Sequence, residues 1–291
     1  MHRGACHVAA VVVFTLGTLP GRAAPVAITN HSFEADFAPP NMFSIVIPAG
    51  WSVYDPHGII DFGNDVVGVL NPTGGKNFPE GAPDGVNVGL VFLGQDVGMP
   101  AGLRQVLAGT LEADMRYTLS VEVGNIASGT NAPPCSCFFD LDGFPGYQVQ
   151  LLAGGVVIAE DDNSLFRDIP EGEFRTSTIS VDVDASHPLL GQPLEVRLIN
   201  LDIPGTPDAP AIEVDFDDVR LDASPFPPPD CPGDVDGSGE VNSTDLNIVL
   251  TVFGCTVPPQ IACAGDADGD GDADSTDLNI VLTAFGSVCR R

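Results

Sequence analysis

A tandem repeat closes the chain and limits what its C-terminal part can form. Segment 234–254 returns almost unchanged as segment 266–286, 32 residues later. Each copy opens with a twelve-residue loop that has oxygen-bearing side chains at positions one, three, five, nine and twelve and glycine at position six. A loop with this spacing can wrap a calcium ion, which takes about six to eight oxygen ligands, and the glycine permits its sharp turn. The repeat therefore predicts two calcium-binding loops.

The spacing also predicts which residues bind the two calcium ions. In the first loop they are Asp234, Asp236, Ser238, Asn242 and Asp245, with the backbone carbonyl of Glu240. In the second loop they are Asp266, Asp268, Asp270, Asp274 and Asp277, with the backbone carbonyl of Asp272. Position twelve is aspartate, where calcium loops usually carry the longer glutamate. Because the carboxylates of the second loop would repel one another, we expect a cation between them.

Each loop is followed by a helix but not preceded by one. Five prolines lie between residues 225 and 232, which excludes a helix there and leaves two half EF-hands. After each loop, apolar residues recur at helical spacing. These stripes are Leu246, Val249, Leu250 and Phe253 in the first copy, and Leu278, Val281, Leu282 and Phe285 in the second. Gly254 and Gly286 end the helices, and we expect the two stripes to pack against each other.

A second apolar strip runs along each helix. It comprises Ile248 and Val252 in the first copy, and Ile280 and Ala284 in the second. A module this small can hardly bury both strips within itself. We therefore expect one strip to be a partner surface, with packing against the loops as the alternative.

Two loop–helix units whose loops end in Asn-Ser-Thr-Asp or Asp-Ser-Thr-Asp resemble the type I dockerin over residues 230–289. The resemblance implies a calcium-dependent module that docks into a cohesin domain of a scaffold or surface protein. It also implies that Ser243, Thr244, Ser275 and Thr276 contact this partner, together with the helices that follow. Many dockerins carry basic residues midway along each helix, whereas this chain has Leu250-Thr251 and Leu282-Thr283. The sequence therefore does not identify the cohesin.

The N-terminus predicts export. Residues 1–23 combine Arg3, an apolar stretch and small residues before Ala24, which is typical of a cleaved secretory signal. The apolar stretch is too short to span a membrane, so we expect a secreted protein without membrane insertion, held at the cell surface only by a partner. Loss of Arg3 and Arg22 leaves 9 basic and 40 acidic side chains, a net charge of −31. Such a charge excludes binding to nucleic acid, which requires a basic patch.

Six cysteines remain after cleavage, an even number that suits disulfides in an oxidising compartment. Four of them bracket the repeats. If the two helices pack antiparallel, the end of one helix lies near the start of the other loop. We therefore expect the pairs Cys255–Cys263 and Cys231–Cys289. Cys135 and Cys137 are expected to pair with each other, because no histidine lies close enough in sequence to complete a zinc site.

Residues 24–224 form a second domain with an all-β pattern. Short apolar or alternating runs are separated by Gly, Pro, Asn and Asp, which predicts a two-sheet, jelly-roll-like sandwich. The predicted strands are Met42–Ile47, Val66–Leu70, Asn87–Leu93, Leu103–Ala108, Arg116–Val123, Tyr147–Leu152, Gly155–Asp161, Thr176–Asp184, Leu194–Asn200 and Ile212–Leu221. A proline-rich linker, 225–229, leads to the dockerin-like module at 230–291.

The segments Ile28–Glu34, Gly50–Ser52 and Val214–Leu221 resemble the galactose-binding-like jelly roll, a fold shared by carbohydrate-binding modules. The resemblance implies a structural calcium ion between the first and last strands, held here by Glu34 and Asp217. Asp217 is in register with Val219 and Leu221, which are expected to face the core, and a buried carboxylate there would need a cation. A solvated acidic strand end is the alternative.

The sandwich has two candidate residues for a sugar site. Trp51 and Tyr54 could form a small platform for a sugar ring, although tryptophan in such a position is more often buried. His31, His57 and His187 stand apart, and no serine has the sequence context of a nucleophile, so no catalytic residues are assigned. We expect an exported, non-catalytic protein that docks to a cohesin and displays a sandwich domain that binds polysaccharide. The alternatives are a polysaccharide-degrading glycoside hydrolase and a purely structural surface protein.

Overall fold

A computed structural model describes residues 24–94, 98–130, 137–225, 231–255, 263–268 and 271–289. The predicted signal segment 1–23 and residues 226–229 of the predicted linker lie outside these ranges. Within them, neither of the two helices has the length and apolar character needed to cross a membrane.

The described part of the chain forms fourteen strands followed by two helices. The strands are β1 (Ala24–Val26), β2 (Met42–Ile45), β3 (Ser52–Tyr54), β4 (Asp65–Asn71), β5 (Val88–Leu93), β6 (Ala101–Thr110), β7 (Met115–Asn125), β8 (Gly129–Thr130), β9 (Phe138–Phe139), β10 (Tyr147–Ala153), β11 (Val156–Asp162), β12 (Glu173–Val183), β13 (Pro193–Asn200) and β14 (Glu213–Pro225). The helices are α1 (Ser243–Val252) and α2 (Ser275–Ala284). The prediction of an all-β domain followed by a small helical module is confirmed.

Two antiparallel sheets make the sandwich. A seven-stranded sheet has the order β12-β7-β14-β5-β4-β2, with β1 added on β14, and a five-stranded sheet has the order β11-β10-β13-β6-β3. Alternate residues of each strand point between the sheets, as in Leu119, Val121 and Val123 of β7, which are fully buried. This core holds most of the buried apolar side chains of the domain. The short strands β1, β3, β8 and β9 were not predicted, and Pro225, assigned to the linker, ends β14.

A bulge in β14 changes which residues face the core. Val214 and Phe216 point inward, and so do Val219 and Leu221, which reverses the alternation between the two pairs. The register with β7 shifts at this point, and Asp218 has a left-handed φ of 45°. The prediction that Asp217 shares the face of Val219 and Leu221 is therefore wrong, because the bulge separates them.

A second apolar layer covers part of the outer face of the seven-stranded sheet. Phe78, Ile126 and Leu141 come from segments outside the main strands and pack on outward residues of β4 and β5, such as Val66 and Leu90. The sheet is thus covered on both faces in this region. Polar residues that point outward there become buried instead of solvated.

In the C-terminal module, backbone hydrogen bonds join the two loop–helix units. The backbone of Val241 in the first loop pairs with Gly286 and Ser287 after α2, with N–O distances of 2.8 and 3.0 Å. In the same way, Ala273 in the second loop pairs with Gly254 and Cys255 after α1, at 2.7 and 3.1 Å. Each loop is therefore completed by the end of the other helix.

The expected helix stripes are only partly buried. Val249 and Val281 are fully buried, and Leu246 and Leu278 are half-buried against them. Four stripe residues are instead about half-exposed, namely Leu250 and Phe253 with their repeat counterparts Leu282 and Phe285. Ten-residue helices in so small a module offer too little surface to cover both ends of each stripe. The apolar surface that remains open therefore includes residues that were expected in the core.

The only tryptophan of the chain lies in the core of the sandwich. Trp51 is 5% exposed, stacks on Phe33 with 5.5 Å between ring centroids, and donates its indole N–H to the carbonyl of Asn30 at 3.1 Å. The platform expected from Trp51 and Tyr54 is therefore not present, because the Trp51 ring has no exposed face.

We expect Trp51→Ala to lower the free energy of unfolding of the sandwich by about 3 kcal/mol, since it removes a packed ring from the core. The matched control is Phe37→Ala, because Phe37 is 80% exposed and should contribute less than about 0.5 kcal/mol. Urea unfolding followed by circular dichroism at constant calcium measures both. Equal effects would contradict the assignment of Trp51 to the core.

Candidate functional site

The predicted ligands of the first calcium loop converge. One carboxylate oxygen from each of Asp234, Asp236 and Asp245 lies within 4.8 Å of the others. The Ser238 hydroxyl donates to the Glu240 carbonyl at 3.2 Å, so this carbonyl also turns towards the loop interior. Oxygen ligands of this number and kind suit a hard cation such as calcium.

The second loop repeats the arrangement. Carboxylate oxygens of Asp266, Asp268 and Asp277 lie within 4.8 Å of one another, and those of Asp272, Asp274 and Asp277 do the same. The predicted contribution of Asp272 was its backbone carbonyl, and the structure adds its carboxylate to the cluster. Asp270 lies outside the described residues.

The aspartate at position twelve of each loop is held in place by backbone N–H donors. Asp245 is fully buried and accepts the backbone N–H of Asn242 at 2.9 Å and of Asp236 at 3.2 Å. Asp277 accepts the corresponding N–H of Asp274 at 2.7 Å, and these bonds hold its pKa below the usual value against the opposing effect of burial. Asn242 and Asp274 cap the two helices in return. Capping thus fixes the carboxylate that closes each loop.

Two disulfides cross-link the C-terminal module, as predicted. Cys231 pairs with Cys289 and Cys255 pairs with Cys263, with Cα–Cα distances of 5.7 and 6.4 Å. Cys137 is also disulfide-bonded, and its predicted partner Cys135 lies outside the described residues. The disulfides fit an extracellular protein.

The residues expected at a partner surface are unequally accessible. Ser243, Thr244, Ser275 and Thr276, which open the two helices, are all exposed. The predicted strip of Ile248, Val252 and Ile280 is half-buried. Part of the cover comes from the segments that precede each loop, since Gly265 lies against Val249 and Val252 so closely that a Cβ there would clash. Packing against the loops, the alternative given for this strip, therefore accounts for part of its burial.

The two residues predicted to bind a calcium ion in the sandwich, Glu34 and Asp217, both contact the backbone of the loop at residues 84–87. Glu34 accepts the backbone N–H of Val86 and Asn87, both at 2.7 Å, and Asp217 accepts that of Asp84 at 2.8 Å. Both carboxylates are thus engaged with backbone donors. Among the described residues, no group of three metal-ligating side chains includes Glu34 or Asp217.

A neighbouring cluster has the composition of a metal site but contains a cation of its own. Ligand atoms of His31, Asp84 and Asp218 lie within 4.8 Å of one another. The guanidinium of Arg220 lies 2.5 Å from Asp218 and 3.4 Å from Asp84. One of the two negative charges that a metal ion would neutralise is thereby already compensated.

A narrow apolar pocket opens on the outer face of the seven-stranded sheet. Its volume is about 160 Å³. The lining residues are Asn41, Phe43, Ile45, Gly63, Val66, Leu70, Lys76, Asn77, Leu90, Phe92, Ile126, Phe139, Leu141 and Glu213. Two of them, Glu213 and Lys76, carry ionisable groups, and Asn41 and Asn77 add amides to walls that are otherwise mostly apolar.

Glu213 is positioned by strand alternation. Val214 and Phe216 of β14 face the core, so Glu213 and Asp215 both point to the outer face, where the second apolar layer covers them. Burial raises the pKa of Glu213 to about 8, and the positive charge of Lys76 opposes this rise. Burial also raises the pKa of Asp215, with a further rise from Glu213. The pocket therefore presents a carboxylic acid that is largely protonated at neutral pH.

No part of this pocket was assigned from sequence. The available signal was the alternation Glu-Val-Asp-Phe at 213–216, which places two acids on the face opposite the core. Outward acids are normally solvated, and only the covering segments, distant in sequence, make these two buried.

Comparison with known proteins identifies both parts of the chain. The sequence profile of the HpiC1 cyclase family matches residues 24–222, more than half of the chain. The chain belongs to the HpiC1-like family. Residues 232–285 match the type I dockerin domain, which confirms the resemblance of the repeats, and dockerin domains bind calcium and cohesins.

Solved structures agree with this family. A Stig cyclase from Fischerella sp. TAU, in complex with (3Z)-3-(1-methyl-2-pyrrolidinylidene)-3H-indole, is 37% identical over 70% of this chain and 99% of its own, with a TM-score of 0.61. A cyclase from the same organism, in complex with 4-(1H-indol-3-yl)butan-2-one, is 38% identical over 70% of this chain and 98% of its own, also with a TM-score of 0.61. The sandwich is thus a Stig cyclase-like domain.

The expected likeness to carbohydrate-binding modules is remote. A xylan-binding CBM22 domain from Paenibacillus barcinonensis matches at 14% identity, covering 70% of this chain and 96% of its own, with a TM-score of 0.37. A likeness at this level carries no argument about the ligand. No curated protein is significantly similar to the chain.

We expect the double change Asp234→Ala and Asp266→Ala to unfold the dockerin module, because each loop then loses the carboxylate at its first position and the cation that offsets the remaining charges. The measurement is the helical circular dichroism signal of the full chain in calcium and in chelator. The wild type should lose helicity in chelator only, and the variant should lack it in both. The control Asp168→Ala removes an exposed carboxylate of the sandwich and should change neither signal. Equal helicity of the wild type in calcium and in chelator would show that the loops fold without the ion.

Proposed function

We propose that this protein is an exported carrier of a small-molecule site, attached to a scaffold through its dockerin module. The sandwich binds a small, apolar, flat molecule in the pocket on its seven-stranded sheet, and Glu213 donates a proton to it. The supporting observation is the buried carboxyl of Glu213, which has a pKa of about 8 at the wall of an apolar pocket. This proposal replaces the non-catalytic reading of the sandwich.

The pocket walls favour an aromatic or olefinic ligand. Phe43, Phe92 and Phe139 supply ring surfaces, while Lys76, Asn77 and Glu213 supply the polar groups. The relatives from Fischerella were solved with indole compounds, which are flat and apolar. A ligand of that class would bury its rings among the phenylalanines and present an atom to the Glu213 carboxyl.

The chemistry that this arrangement allows is general acid catalysis. Transfer of the proton from the Glu213 carboxyl to a basic carbon or heteroatom of the ligand leaves a carboxylate in the pocket. Lys76 lines the same pocket and its positive charge acts on Glu213, so it would stabilise that carboxylate. Asp215 lies two residues along β14 on the same face, and burial followed by the charge of Glu213 raises its pKa, so it adds no second negative charge beside that carboxylate.

The dockerin module supplies the attachment. Among its described residues, the exposed ones include the Ser-Thr pairs that open both helices and the apolar pair Leu250 and Phe253, with their counterparts in the second copy. A cohesin on a scaffold or surface protein is the partner that this family of modules implies. Calcium would order the loops and so position the two helices for docking. With residues 1–23 as an export signal, the site would be displayed outside the cell.

For Glu213, we expect binding of 4-(1H-indol-3-yl)butan-2-one to weaken as pH rises through about 8, because the pocket then acquires a buried negative charge. Glu213→Gln keeps the shape and a hydrogen-bond donor, so its affinity should not change over the same range. Calorimetric titration of the full chain between pH 6 and pH 10 measures both. Glu112→Gln, an exposed glutamate of the sandwich, is the control and should behave as the wild type.

The same substitution should change stability with a defined sign. The pKa of Glu213 in the folded protein, about 8, exceeds the ordinary value of 4.5, so its contribution is most favourable below 4.5 and is lost as pH rises to 8. Glu213→Gln should therefore raise the melting temperature at pH 8 and leave it unchanged at pH 4. Indole binding that is independent of pH, together with no stabilisation by Glu213→Gln, would overturn the assignment of a buried acid.

For the dockerin module, we expect a purified cohesin domain from the same genome to bind the full chain in calcium and to release it in chelator. The combined changes Leu250→Asp and Leu282→Asp should abolish binding, because they place charge in the exposed apolar surface of both helices. Leu250 and Leu282 are about half-exposed, so these changes should leave the calcium-induced helicity intact. Binding that persists in the double variant would exclude the helix faces as the docking surface.

A further inference from the structure

The outer face of the five-stranded sheet carries two arginines directly opposite each other. Arg104 on β6 and Arg197 on β13 are register partners, and their neighbours Leu103 and Leu198 point into the core. Like charges at directly opposed positions of an antiparallel pair destabilise a sheet. The pair is also unexpected from composition, because the chain has 11 Lys and Arg against 40 Asp and Glu. Such an arrangement suits a surface that receives an anion.

Only one of the two guanidinium groups is neutralised. Arg197 donates through Nε to Glu195 at 2.6 Å and lies over the ring of Tyr54, with its Cζ 4.8 Å from the ring centroid. In the parts of the chain that the structure describes, no carboxylate lies at ion-pairing distance from Arg104. Asp55 lines the same depression, but it accepts the backbone N–H groups of Gly58, Ile59 and Ile60. A ligand anion would therefore meet Arg104 with its charge available.

One amide continues the row from the arginines across the sheet, and the acid Glu160 on β11 follows it. Gln150 on β10 is the register partner of Arg197 and is 8% exposed. Its amide nitrogen donates to Gln148 at 3.0 Å and to Glu160 at 3.2 Å. Its amide oxygen is buried and accepts no hydrogen bond within the described structure. A buried acceptor without a donor is costly, so a small shift of Gln150 that exposes this oxygen to a ligand hydroxyl would be favourable.

The face ends in a shallow depression beside β3. It has a volume of about 470 Å³, is open to solvent, and is lined by Tyr54, Ile60, Phe62 and Arg104 among others. Side chains of this kind offer an apolar wall to the C–H face of a sugar ring. Arginine, amide and aromatic groups thus succeed one another along one side of the sheet.

We propose that this face binds an acidic sugar unit of a polysaccharide. The carboxylate or sulfate of the sugar would accept hydrogen bonds from Arg104 and Arg197, its hydroxyls would bond to Gln148 and Gln150, and its ring would lie against the Tyr54 side of the depression. The site is on the opposite sheet from the Glu213 pocket and does not depend on the activity of that pocket. The sequence predicted a sugar platform of Trp51 and Tyr54. The proposed site retains Tyr54 but not Trp51, because Trp51 is buried.

The test is affinity electrophoresis of the full chain at constant calcium and about 0.15 M salt, an ionic strength that screens long-range charge. The gels contain hyaluronan, which carries carboxylates, dextran sulfate, which carries sulfates, or unmodified dextran. The negative charge of the protein opposes nonspecific retention by either polyanion, so retention reports a specific site. We expect retention by at least one polyanion and none by dextran. The polymer that retains the chain identifies the anionic group.

The substitutions Arg104→Gln and Arg197→Gln should each weaken retention about tenfold, the value expected for loss of a charge-assisted hydrogen bond. The matched control is Arg116→Gln, an exposed arginine of the seven-stranded sheet that pairs with Asp182 at 2.6 Å. The three variants should share the circular dichroism spectrum of the wild type. The proposal is overturned if neither polyanion retains the chain, if dextran retains it equally, or if Arg116→Gln weakens retention as much as the other two changes.

Discussion

The shared core between the two sheets is the constraint on which the rest of the sandwich depends. Every second residue of the long strands is committed to that core, as Val214 and Phe216 of β14 and Leu198 of β13 show. Most polar and charged residues of these strands therefore lie on one of the two outer faces. The two outer faces differ, because one is covered by a second apolar layer and the other is open. The same alternation therefore produces a buried acid at Glu213 and a solvent-accessible arginine at Arg104.

The covering layer determines the chemistry of the pocket. Without Phe78, Ile126 and Leu141 above the sheet, Glu213 would be a solvated carboxylate with an ordinary pKa. Enclosure shifts the balance towards the neutral acid, and Lys76 prevents the shift from becoming larger. Burying two acids has a free-energy cost for folding, and the favourable packing of the whole domain offsets it. Such a cost is retained most readily where a reaction or a ligand depends on it.

Local patterns in the sequence were sufficient for much of this architecture. The ten predicted strands all overlap observed strands, and aspartates of each predicted calcium loop converge as their spacing indicated. The disulfides Cys231–Cys289 and Cys255–Cys263 followed from the antiparallel packing of two repeated helices. These features are determined by residues close in sequence, or by the symmetry of a duplication.

The features that were missed depend on contacts between distant segments. The side of β14 on which Asp217 lies is set by a single bulged residue, Asp218, which alternation alone does not reveal. The Glu213 pocket exists only because segments distant in sequence cover the sheet. Leu250 is exposed because few residues of α1 and α2 contact each other where the two helices cross. Pattern and propensity do not report such long-range packing. The Stig cyclase family was accordingly not recognised from sequence motifs.

The reciprocal pairing within the dockerin module has a thermodynamic consequence. Val241 of one loop bonds to the end of α2, and Ala273 of the other loop bonds to the end of α1, so neither loop can adopt its final shape alone. Ordering one loop lowers the conformational entropy that remains to be lost in the other. We therefore expect that a calcium ion bound in one loop favours binding of an ion in the other. The module is then expected to fold, and to attach the sandwich to its partner, over a narrow interval of calcium concentration.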